Sequence, residues 1–565
     1  MFAMKVSDYI VEYLISKGIA DVFGYPGGMV TYLMDSFSKY KGTINAHITY
    51  HEQGAAFAAC GYAQASGKMG VAYATSGPGA TNLITGICNA YFDSIPVLFI
   101  TGQVNTFESK GNLQVRQRGF QETDIVSMVK SVTKYAVKIE DENKIKWCLD
   151  YAFDMAFDGR KGPVLLDIPM NVFRANVNPD AIEGYEKKFA KRYDNKYPEL
   201  LEAIDRSTRP VFIVGNGVKT SEAISEARKL FSRINIPVVT TMPAVDVAGN
   251  KSYGFIGAYG SRTANFIVAK SDLVITMGAR LDVRQVGAKR ENFAPKAKLI
   301  RIDIDPGELE YRVHHNEEQI CDNVEAVINY LNKNIPQKDF SPWIEICNCI
   351  KEKLKDIDVK NPNRIVHKIG KYLSNNAVVT TDVGQNQVWV AQSMEFKMEQ
   401  RAFFSGGHGA MGYSLPAAIG CAFATGNTVY SFNGDGGFQM NIQELQTIVR
   451  EKLPIKIILF NNFALGMIRH FQEMYFQDNF FQTISTGGYT VPDFQAIADA
   501  YKIPYTSIQT LEDITENIFS IDGPQLIEVK MNEPTYVVPK LEFGKPNQDQ
   551  EPLLDRELYN YLNDL

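Results

Sequence analysis

Two glycine and asparagine signals, each at the end of a predicted buried strand, constrain the fold of this chain most strongly. Residues 428–432 form a short apolar run before Gly434-Asp435-Gly436-Gly437, and residues 455–460 form another before Asn461-Asn462. Runs of this kind are typical of parallel strands buried on both faces. The apolar spacing between them predicts a helix over residues 439–449. The segment is therefore predicted to be a strand, helix, strand unit of a doubly wound sheet.

The ends of these two strands predict a site for a phosphate and a metal ion. Glycines let backbone N–H groups approach a phosphate, and a helix that begins nearby adds its positive end. Asp435 and Asn462 can meet over adjacent strand tips as oxygen ligands for one Mg²⁺ that also binds diphosphate oxygens. Each signal alone usually marks a turn or a strand-ending loop, so the prediction depends on their spacing.

This arrangement resembles the motif of the thiamine diphosphate-dependent enzymes, a Gly-Asp-Gly followed after a fixed interval by Asn-Asn. The resemblance implies that Asp435, Asn462 and the main-chain carbonyl of Ala464 bind Mg²⁺. It implies an α/β fold of three doubly wound parallel-sheet domains, which agrees with the length of the chain. We place a pyrimidine-binding domain at residues 1–180, a central nucleotide-fold domain at 190–335, a diphosphate-binding domain at 355–540 and a C-terminal tail at 541–565.

The same resemblance assigns a set of cofactor-binding residues at or near strand ends. Met411 could equally be a core residue, but in the family the matching methionine wedges the cofactor into a V shape. The assigned residues are Gly27, Gly28, Glu52, Gly384, Gln385, Asn386, Gly409, Met411, Gly434, Asp435, Gly436, Gly437, Asn462, Ala464, Leu465, Gly466 and Met467.

Glu52 is the candidate catalytic acid. It lies where the strand predicted at residues 44–50 gives way to a helix of small residues. An isolated glutamate there usually complements the helix dipole. Here, further strand ends at residues 75–82 and 96–102 converge on the same crevice, which favours a role towards a ligand. In the resembled family this buried carboxyl group binds the aminopyrimidine ring, so that the cofactor removes its own proton.

Residues 120–125 and 162–169 resemble more particularly the acetolactate synthase (acetohydroxyacid synthase) catalytic subunit. Gln121 matches that family's active-site glutamine, and its neighbour Phe120 is a candidate substrate residue. Arg284 lies where the family carries an arginine that faces the second substrate, although the acidic residue before it is replaced by valine. These positions imply catalytic and substrate roles that the residues alone would not indicate.

Three further positions differ from that family. Phe471 replaces a tryptophan tied to a preference for 2-oxobutyrate as acceptor, Met170 replaces a lysine, and Asn386 replaces a histidine. The tail also resembles those of synthase-like enzymes from sugar-modifying pathways such as the yersiniose pathway. These observations leave the acceptor open between a 2-oxo acid and a nucleotide-linked ketosugar.

The central domain shows the glycine turns and strand-end acids of a nucleotide fold. In several thiamine enzymes this domain binds no ligand. Residues 278–282 and 302–305, however, resemble the acetolactate synthase segments that hold FAD. The candidate FAD residues are Gly215, Asn216, Gly217, Gly257, Gly260, Gly278, Arg280, Asp282, Asp303 and Asp305.

Composition and charge argue against several other classes of protein. The net charge of −6 gives no basic field for nucleic acid, and no apolar run is long enough for a membrane span. The N-terminus lacks the pattern of a signal peptide, and seven scattered cysteines indicate reduced thiols, so we expect a cytoplasmic protein.

The sequence thus predicts an enzyme that decarboxylates pyruvate on thiamine diphosphate and transfers the hydroxyethyl unit to a second carbonyl compound. Alternatives are transfer to a nucleotide-linked ketosugar, or another 2-oxo acid decarboxylase. A non-catalytic scaffold is disfavoured because Glu52, Asp435 and Asn462 are all present. The family resemblance implies a homodimer or homotetramer, with sites shared between chains.

Overall fold

Three six-stranded parallel sheets, each flanked by helices, organise the chain, as predicted. The computed structural model describes residues 3–187, 196–532 and 534–565. Residues 188–195, in the charged linker expected between the first two domains, lie outside the described residues. The strands are short runs of buried apolar residues, which is the pattern of a sheet covered on both faces.

The N-terminal sheet has the strand order β3-β2-β4-β5-β7-β6. Its topological switch point lies between β2 and β4, where the connections begin to run in the opposite direction along the sheet. The strands are β1 Met4–Lys5, β2 Asp21–Gly24, β3 Asn45–Ile48, β4 Gly70–Ala74, β5 Val97–Gln103, β6 Tyr135–Lys138, β7 Val164–Pro169 and β8 Asn176–Val177. The helices are α1 Val6–Ser16, α2 Thr31–Lys39, α3 Glu52–Ser66, α4 Pro78–Asn82, α5 Ile84–Phe92, α6 Ile125–Val129, α7 Ile145–Phe157 and α8 Met170–Arg174.

The central sheet has the order β11-β10-β9-β12-β13-β14. This is the strand order of dinucleotide-binding domains, with the switch point between β9 and β12. The strands are β9 Pro210–Val214, β10 Val238–Thr240, β11 Ser252–Phe255, β12 Leu273–Met277, β13 Lys298–Asp303 and β14 Glu318–Cys321. The helices are α9 Tyr197–Arg206, α10 Gly217–Thr220, α11 Ile224–Arg233, α12 Arg262–Lys270, α13 Val283–Val286, α14 Pro306–Glu310, α15 Val324–Asn334 and α16 Ser341–Leu354.

The third sheet has the order β16-β15-β17-β18-β20-β19, which repeats the topology of the N-terminal sheet. Its switch point lies between β15 and β17. The strands are β15 Val378–Thr381, β16 Arg401–Phe404, β17 Val429–Gly434, β18 Ile455–Asn461, β19 Tyr505–Ile508 and β20 Gln525–Lys530. The helices are α17 Asn361–Tyr372, α18 Gln385–Ser393, α19 Ser414–Thr425, α20 Asp435–Met440, α21 Leu445–Arg450, α22 Gly466–Tyr475, α23 Phe494–Tyr501 and, in the tail, α24 Arg556–Asp564.

Helices α3 and α19 bring the first and third sheets together. Their facing surfaces consist of small residues, so the two backbones can approach closely. A Cβ atom on Gly420 would lie 1.8 Å from the carbonyl oxygen of Ala58, and one on Gly61 would lie 2.1 Å from that of Ala417. Larger side chains at these glycines would separate the helices. This contact fixes the position of Glu52, the first residue of α3, relative to the third sheet.

The predicted helix at residues 439–449 differs from the structure. Helix α20 begins at Asp435 and ends at Met440, a 3₁₀ turn follows at Ile442–Glu444, and α21 begins at Leu445. The break falls at Asn441, whose side-chain amide donates to the carbonyl oxygens of Gly412 at 2.7 Å and of the Gln53 side chain at 3.1 Å. These long-range hydrogen bonds interrupt the helix without any local glycine or proline signal.

In the described parts of the chain, no helix combines the length and the apolar character that crossing a bilayer requires. The seven cysteines are all free thiols, as the sequence predicted.

Candidate active site

Asp435 lies at the first turn of α20, directly after β17, and its carboxylate is buried. Tyr489 donates its hydroxyl proton to Oδ1 at 2.8 Å. Backbone N–H groups of Phe463, Ala464 and Gly436 also point at the carboxylate. Oδ2 is buried and has no hydrogen-bond partner among the described residues. A buried carboxylate oxygen of this kind is suited to bind a cation.

Asn462 follows the neighbouring strand β18, as the sequence predicted. Its Nδ2 donates to Oε1 of Gln385 at 3.0 Å and to the Thr535 hydroxyl at 2.7 Å. Thr535 in turn donates to the same oxygen of Gln385 at 2.8 Å. Phe463, the next residue, has a positive φ of 54°, an uncommon conformation for a bulky side chain that often marks a functional turn. The Asn462 side chain is thus held by the start of α18 and by the segment after β20.

The predicted cofactor residues come together from four separate segments. A Cβ on Gly436 would lie 2.6 Å from Cδ2 of Leu465 and 3.5 Å from Cε of Met411, and one on Gly466 would lie 2.2 Å from Oε1 of Gln385. A larger residue at either position would displace the Leu465 or Gln385 side chain. The strand ends after β15, β17 and β18 and the loop before α19 converge at one edge of the third sheet, next to its switch point.

The surroundings of this edge fit a diphosphate and a divalent cation. Gly384 has a φ of 142°, and α18 begins at the next residue, so its first N–H groups face the same edge. Asn386 and Gln387 each carry a buried side-chain oxygen without a hydrogen-bond partner among the described residues. A metal here must draw on amide and carbonyl oxygens as well as Asp435, since no group of three or more His, Cys, Asp and Glu side chains with metal-ligand geometry occurs in the described ranges.

Two buried acids lie at this edge. Burial raises the pKa of Asp435 to about 6, against the hydrogen bonds from Tyr489 and the backbone. Burial also raises the pKa of Asp382 to about 7, although its carboxylate accepts backbone N–H groups of Gly412, Val383 and Ser414. A Cβ on Gly437 would lie 2.7 Å from Oδ1 of Asp382. Asp382 therefore packs closely against Gly437, a contact that the sequence did not indicate.

Glu52 begins α3 and is 8% exposed. The N-cap of this helix is His51, whose Nδ1 accepts from the backbone N–H of Gln53 at 3.1 Å. The Glu52 carboxylate accepts from Nδ2 of Asn82 at 3.0 Å, and Gly79 approaches its other oxygen. The carboxyl group is shielded from water, as expected for an acid that shares its proton with a ligand.

The first glycine turn lies beside Glu52 at the switch point of the N-terminal sheet. Gly27 precedes a 3₁₀ turn that begins at Gly28, and a Cβ on Gly27 would lie 2.4 Å from Cβ of Thr75. Gly28 and Gly409 have open space around the Cβ position. Both glycines therefore leave room for a ligand beside the strand ends.

Gln121 is held in a strained backbone conformation. Its φ is 63°, and a Cβ on Gly77 would lie 2.9 Å from its own Cβ. Strain of this kind is concentrated at functional sites. The preceding residue, Phe120, is 79% exposed, and the loop that holds both residues is tied to β5 because Gln103 donates to the carbonyl oxygen of Thr123 at 2.8 Å.

Within one chain, Glu52 and Asp435 belong to two different neighbourhoods. The contacts of Glu52 are Asn82 and Gly79, and those of Asp435 are Tyr489 and the backbone after β18. Among the described residues, no hydrogen bond links the Glu52 carboxylate, or the groups that contact it, to the Asp435 carboxylate.

A separate cavity of about 370 Å³ opens at the switch point of the central sheet. Asn216 and Gly217 follow β9, and Gly278 and Arg280 follow β12. Gly278 has a φ of 60°, and a Cβ there would lie 2.5 Å from Cα of Gly217. The predicted FAD residues in the wall of this cavity are Asn216, Gly217, Gly278, Arg280, Asp282 and Asp303.

Four other predicted FAD residues do not line this cavity. Gly215, Gly257 and Gly260 are in close backbone contacts that only glycine allows. Asp305 caps α14 by accepting from the N–H of Gly307 at 2.9 Å and pairs with Arg160 at 3.1 Å. Its partner Arg160 lines the cavity, and Asp303 lies on the cavity wall itself.

The two remaining substrate candidates are Arg284 and Phe471. Arg284 lines the same central cavity and stacks on the ring of Tyr259 at 5.8 Å. Phe471 lies on α22, is 48% exposed, and contacts Tyr475 with ring centroids 4.7 Å apart. The amine of Lys540 lies 5.9 Å from the Phe471 ring. The structure does not bring Arg284 and Phe471 into contact with each other.

Tyr489 and Thr535 are the site residues that the sequence did not reveal. Tyr489 lies in a loop after α22, and Thr535 lies after β20, so neither follows a strand end in the third sheet's switch region. Only the polar contacts with Asp435 and Asn462 identify them.

Three ranges of the chain match models of known families. Residues 4–128 match "Thiamine pyrophosphate enzyme, N-terminal TPP binding domain", residues 198–331 match "Thiamine pyrophosphate enzyme, central domain", and residues 382–529 match "Thiamine pyrophosphate enzyme, C-terminal TPP binding domain". The N-terminal match contains Glu52, and the C-terminal match contains Asp435 and Asn462.

Several curated relatives cover almost the whole chain. The acetolactate synthase large subunit of Lactococcus lactis is 35% identical over 95% of this chain and 94% of its own length. The acetolactate synthase isozyme 2 large subunit of Escherichia coli is 35% identical over 97% of this chain and 99% of its own length. The chloroplastic acetolactate synthase 1 of Nicotiana tabacum is 33% identical over 96% of this chain. The chain therefore belongs to the family of thiamine diphosphate-dependent carboligases that includes the acetolactate synthase large subunits.

Proposed function

We propose that this enzyme uses thiamine diphosphate and Mg²⁺ to release CO₂ from pyruvate and to transfer the remaining two-carbon unit to a second carbonyl compound. The observation that carries the proposal is the buried, unpartnered Oδ2 of Asp435 beside Asn462 at the switch point of the third sheet. The names of the relatives support pyruvate as the donor, since acetolactate is formed from two pyruvate molecules.

The residues at this edge of the third sheet fit both thiamine diphosphate and Mg²⁺. Asp435, the side-chain oxygen of Asn462 and the carbonyl of Ala464 would hold Mg²⁺, and the glycine turns after β15 and β17 would hold the diphosphate. The hydrogen bonds of Asn462 to Gln385 and Thr535 fix the amide, which lowers the entropy lost when a metal binds. When bound, thiamine diphosphate supplies the carbanion that attacks a keto carbon and the electron sink for loss of CO₂.

Glu52 would hold a proton on the aminopyrimidine ring. Its burial removes competing water, and Asn82 orients the carboxyl group. Gln121, whose strained loop lies against Gly77 in the same half of the site, would contact the substrate. Glu52 would therefore act on the bound cofactor, and Gln121 on the bound substrate.

We propose that the enzyme is a homodimer or a dimer of dimers, in which the Glu52 half of one chain faces the Asp435 half of another. The separate neighbourhoods of the two carboxylates within one chain support this arrangement. Mixing an inactive Glu52→Ala chain with an inactive Asp435→Ala chain should then restore about one quarter of the activity, because half of the chains form hybrids with one intact site. No recovery despite proven subunit exchange would contradict shared sites.

We also propose that FAD binds in the central cavity in a structural role, since the reaction involves no net electron transfer. The dinucleotide-type strand order and the Gly217–Gly278 contact at the switch point support it. A cavity wall with Arg280 and with the acid Asp303 is suited to a diphosphate and a ribose.

Product analysis with labelled pyruvate tests the reaction. Pyruvate should be offered alone, with 2-oxobutyrate, and with a panel of nucleotide-linked ketosugars. We expect acetolactate from pyruvate alone. Selective labelling of a sugar would support the second candidate, which Met170 favours because it replaces a lysine and lowers the positive charge near the site. If no CO₂ is released from pyruvate or from any other 2-oxo acid, the proposal is wrong.

A further inference from the structure

Side chains from the third sheet's half of the chain hold the backbone that leads into Glu52. Oε1 of Glu444 accepts the N–H of Tyr50 at 2.9 Å, and the same carboxylate accepts the N–H of His51. These are the last two N–H groups before α3 begins at Glu52. Neither can be satisfied by the helix itself, so both depend on an acceptor from outside.

Two further residues support this contact. Thr447 donates its hydroxyl proton to Oε2 of Glu444 at 2.8 Å. Arg450 donates to the carbonyl oxygen of Ile48 at 2.5 Å and stacks on the Tyr50 ring at 5.7 Å. We call Glu444, Thr447 and Arg450 the Glu444 clamp. It holds the chain from the end of β3 to the first turn of α3.

The clamp fits closely. Glu444 is completely buried, and a Cβ on Gly54 would lie 2.5 Å from its Oε1. Asn441 adds a hydrogen bond to the side chain of Gln53 at 3.1 Å. The backbone before Glu52 and the side chain after it are therefore held, while the Glu52 carboxylate accepts a hydrogen bond from Asn82.

Domain cohesion alone does not account for this carboxylate. The close packing of α3 on α19 already joins the two halves through small apolar residues. A buried carboxylate is expensive unless its hydrogen bonds are complete, and an apolar side chain would fill the same space at lower cost. The two acceptor positions of Glu444 instead match the two N–H groups directly before the candidate catalytic acid.

We propose that Glu444 is a positioning residue for Glu52: it fixes the backbone at Tyr50 and His51 so that the Glu52 carboxylate is held where the aminopyrimidine ring binds. This inference rests on the proposed function of Glu52. The clamp also follows α20 directly, so one short segment carries the metal ligand Asp435 at its start and supports the Glu52 loop at its end.

The test compares Glu444→Ala and Glu444→Gln with wild type, with Glu516→Gln as the matched control. Glu516 is an exposed glutamate in the same domain. The direct readout is the rate of hydrogen–deuterium exchange at C2 of enzyme-bound thiamine diphosphate, measured by NMR after acid quench. Affinity for thiamine diphosphate and Mg²⁺, kcat and KM are measured alongside.

We expect Glu444→Ala to slow C2 exchange and kcat about 10- to 100-fold while KM and cofactor affinity stay within about threefold, because a displaced catalytic group loses rate rather than binding. Glu444→Gln keeps one acceptor oxygen and should slow C2 exchange about two- to tenfold, as should Thr447→Val, and Glu516→Gln should match wild type. Because Glu444 acts through Glu52, Glu52→Gln/Glu444→Ala should exchange no more slowly than Glu52→Gln alone.

Three outcomes would overturn the inference. One is a folded, cofactor-bound Glu444→Ala enzyme with wild-type C2 exchange, and another is a double variant in which the two losses simply multiply. If Glu444→Ala does not fold, Thr447→Val and Glu444→Gln decide the matter, and wild-type exchange in both contradicts the clamp. Failure of wild type itself to exchange C2 or release CO₂ would instead refute the proposed function, so the two failures are distinguishable.

Discussion

Tyr489 donates its hydroxyl proton to Oδ1 of Asp435 at 2.8 Å, while Oδ2 of the same carboxylate stays buried without a partner among the described residues. One oxygen is thus held by the protein, and the other is the oxygen that we propose binds Mg²⁺. Outer groups that orient a metal ligand in this way contribute strongly to metal affinity.

We therefore expect Tyr489→Phe to weaken Mg²⁺ binding about tenfold, since the carboxylate would lose its orienting hydrogen bond. Calorimetry of thiamine diphosphate binding at several Mg²⁺ concentrations gives the Mg²⁺ concentration at which binding is half-maximal. Tyr501→Phe is the control, because the Tyr501 hydroxyl makes no hydrogen bond within the described ranges. Unchanged Mg²⁺ dependence in Tyr489→Phe would show that Tyr489 does not support the metal site.

Strand-end signals made much of the fold and site predictable from the sequence. The apolar runs before Asp435 and Asn462 are buried parallel strands, and Glu52 begins a helix, because each of these features depends on local patterning. The break of the helix at Asn441 could not be predicted, because the Asn441 side chain donates its hydrogen bonds to Gly412 and Gln53, which are distant in sequence.

The sequence did not indicate the residues that support the candidate site, for the same reason. Tyr489, Thr535 and Glu444 have no periodic or motif signal, and each gains its role only through a contact with another segment. The ion pair between Asp305 and Arg160 likewise joins segments that are distant in sequence, so the sequence did not indicate it.

The proposed binding of FAD in the central cavity should be lost when Gly278 gains a side chain. Gly278→Ala forces a residue with φ of 60° to carry a Cβ that lies 2.5 Å from Cα of Gly217, so the two loops at the switch point must separate. We expect purified wild type to be yellow and Gly278→Ala to be colourless, while thiamine diphosphate binding is retained.

Gly249→Ala is the matched control for this flavin prediction. Gly249 has a similar φ of 54°, but the nearest atom to its Cβ position lies 3.9 Å away. It should keep the flavin absorption of wild type. A soluble, yellow Gly278→Ala protein would show that flavin does not occupy this cavity, and a colourless wild type that cannot be reconstituted would favour an empty domain.

Asp167 should make the stability of the protein depend on pH. It is almost completely buried, and burial raises its pKa from 3.8 to about 7, against hydrogen bonds from Thr101 and Gln103. Because this pKa is higher in the folded protein than in the unfolded chain, ionisation of Asp167 lowers the free energy of unfolding. The loss is absent below about pH 4, grows as the pH rises, and is constant above about pH 7.

Asp167→Asn removes this titration. Relative to wild type, the variant should therefore gain up to about 4 kcal/mol in free energy of unfolding between pH 4 and pH 7, whatever constant offset the lost hydrogen bonds add. Urea midpoints at several pH values measure the difference. Asp499→Asn, at an exposed aspartate, should show no such trend. A pH-independent difference between wild type and Asp167→Asn would contradict a buried, titrating Asp167.

The acceptor should depend on Phe471. This ring is 48% exposed on α22 and contacts only Tyr475, Phe476 and the amine of Lys540 among aromatic and charged groups in the described residues. A phenylalanine presents less area and a less rigid wall than the tryptophan of the resembled family. Discrimination of one methylene is worth only about 1 to 3 kcal/mol, so a change in this wall is enough to alter it.

We expect wild type to show little preference for 2-oxobutyrate over pyruvate, and Phe471→Trp to raise that preference about tenfold or more. Competition between the two acceptors, with products resolved by mass, measures the ratio without separate KM values. Phe543→Trp, at a ring that is 89% exposed in the tail, controls for the added indole. A strong 2-oxobutyrate preference in wild type would show that Phe471 does not set the acceptor. An unchanged ratio in an active Phe471→Trp enzyme would place the acceptor away from α22, in a pocket open enough for a larger carbonyl compound.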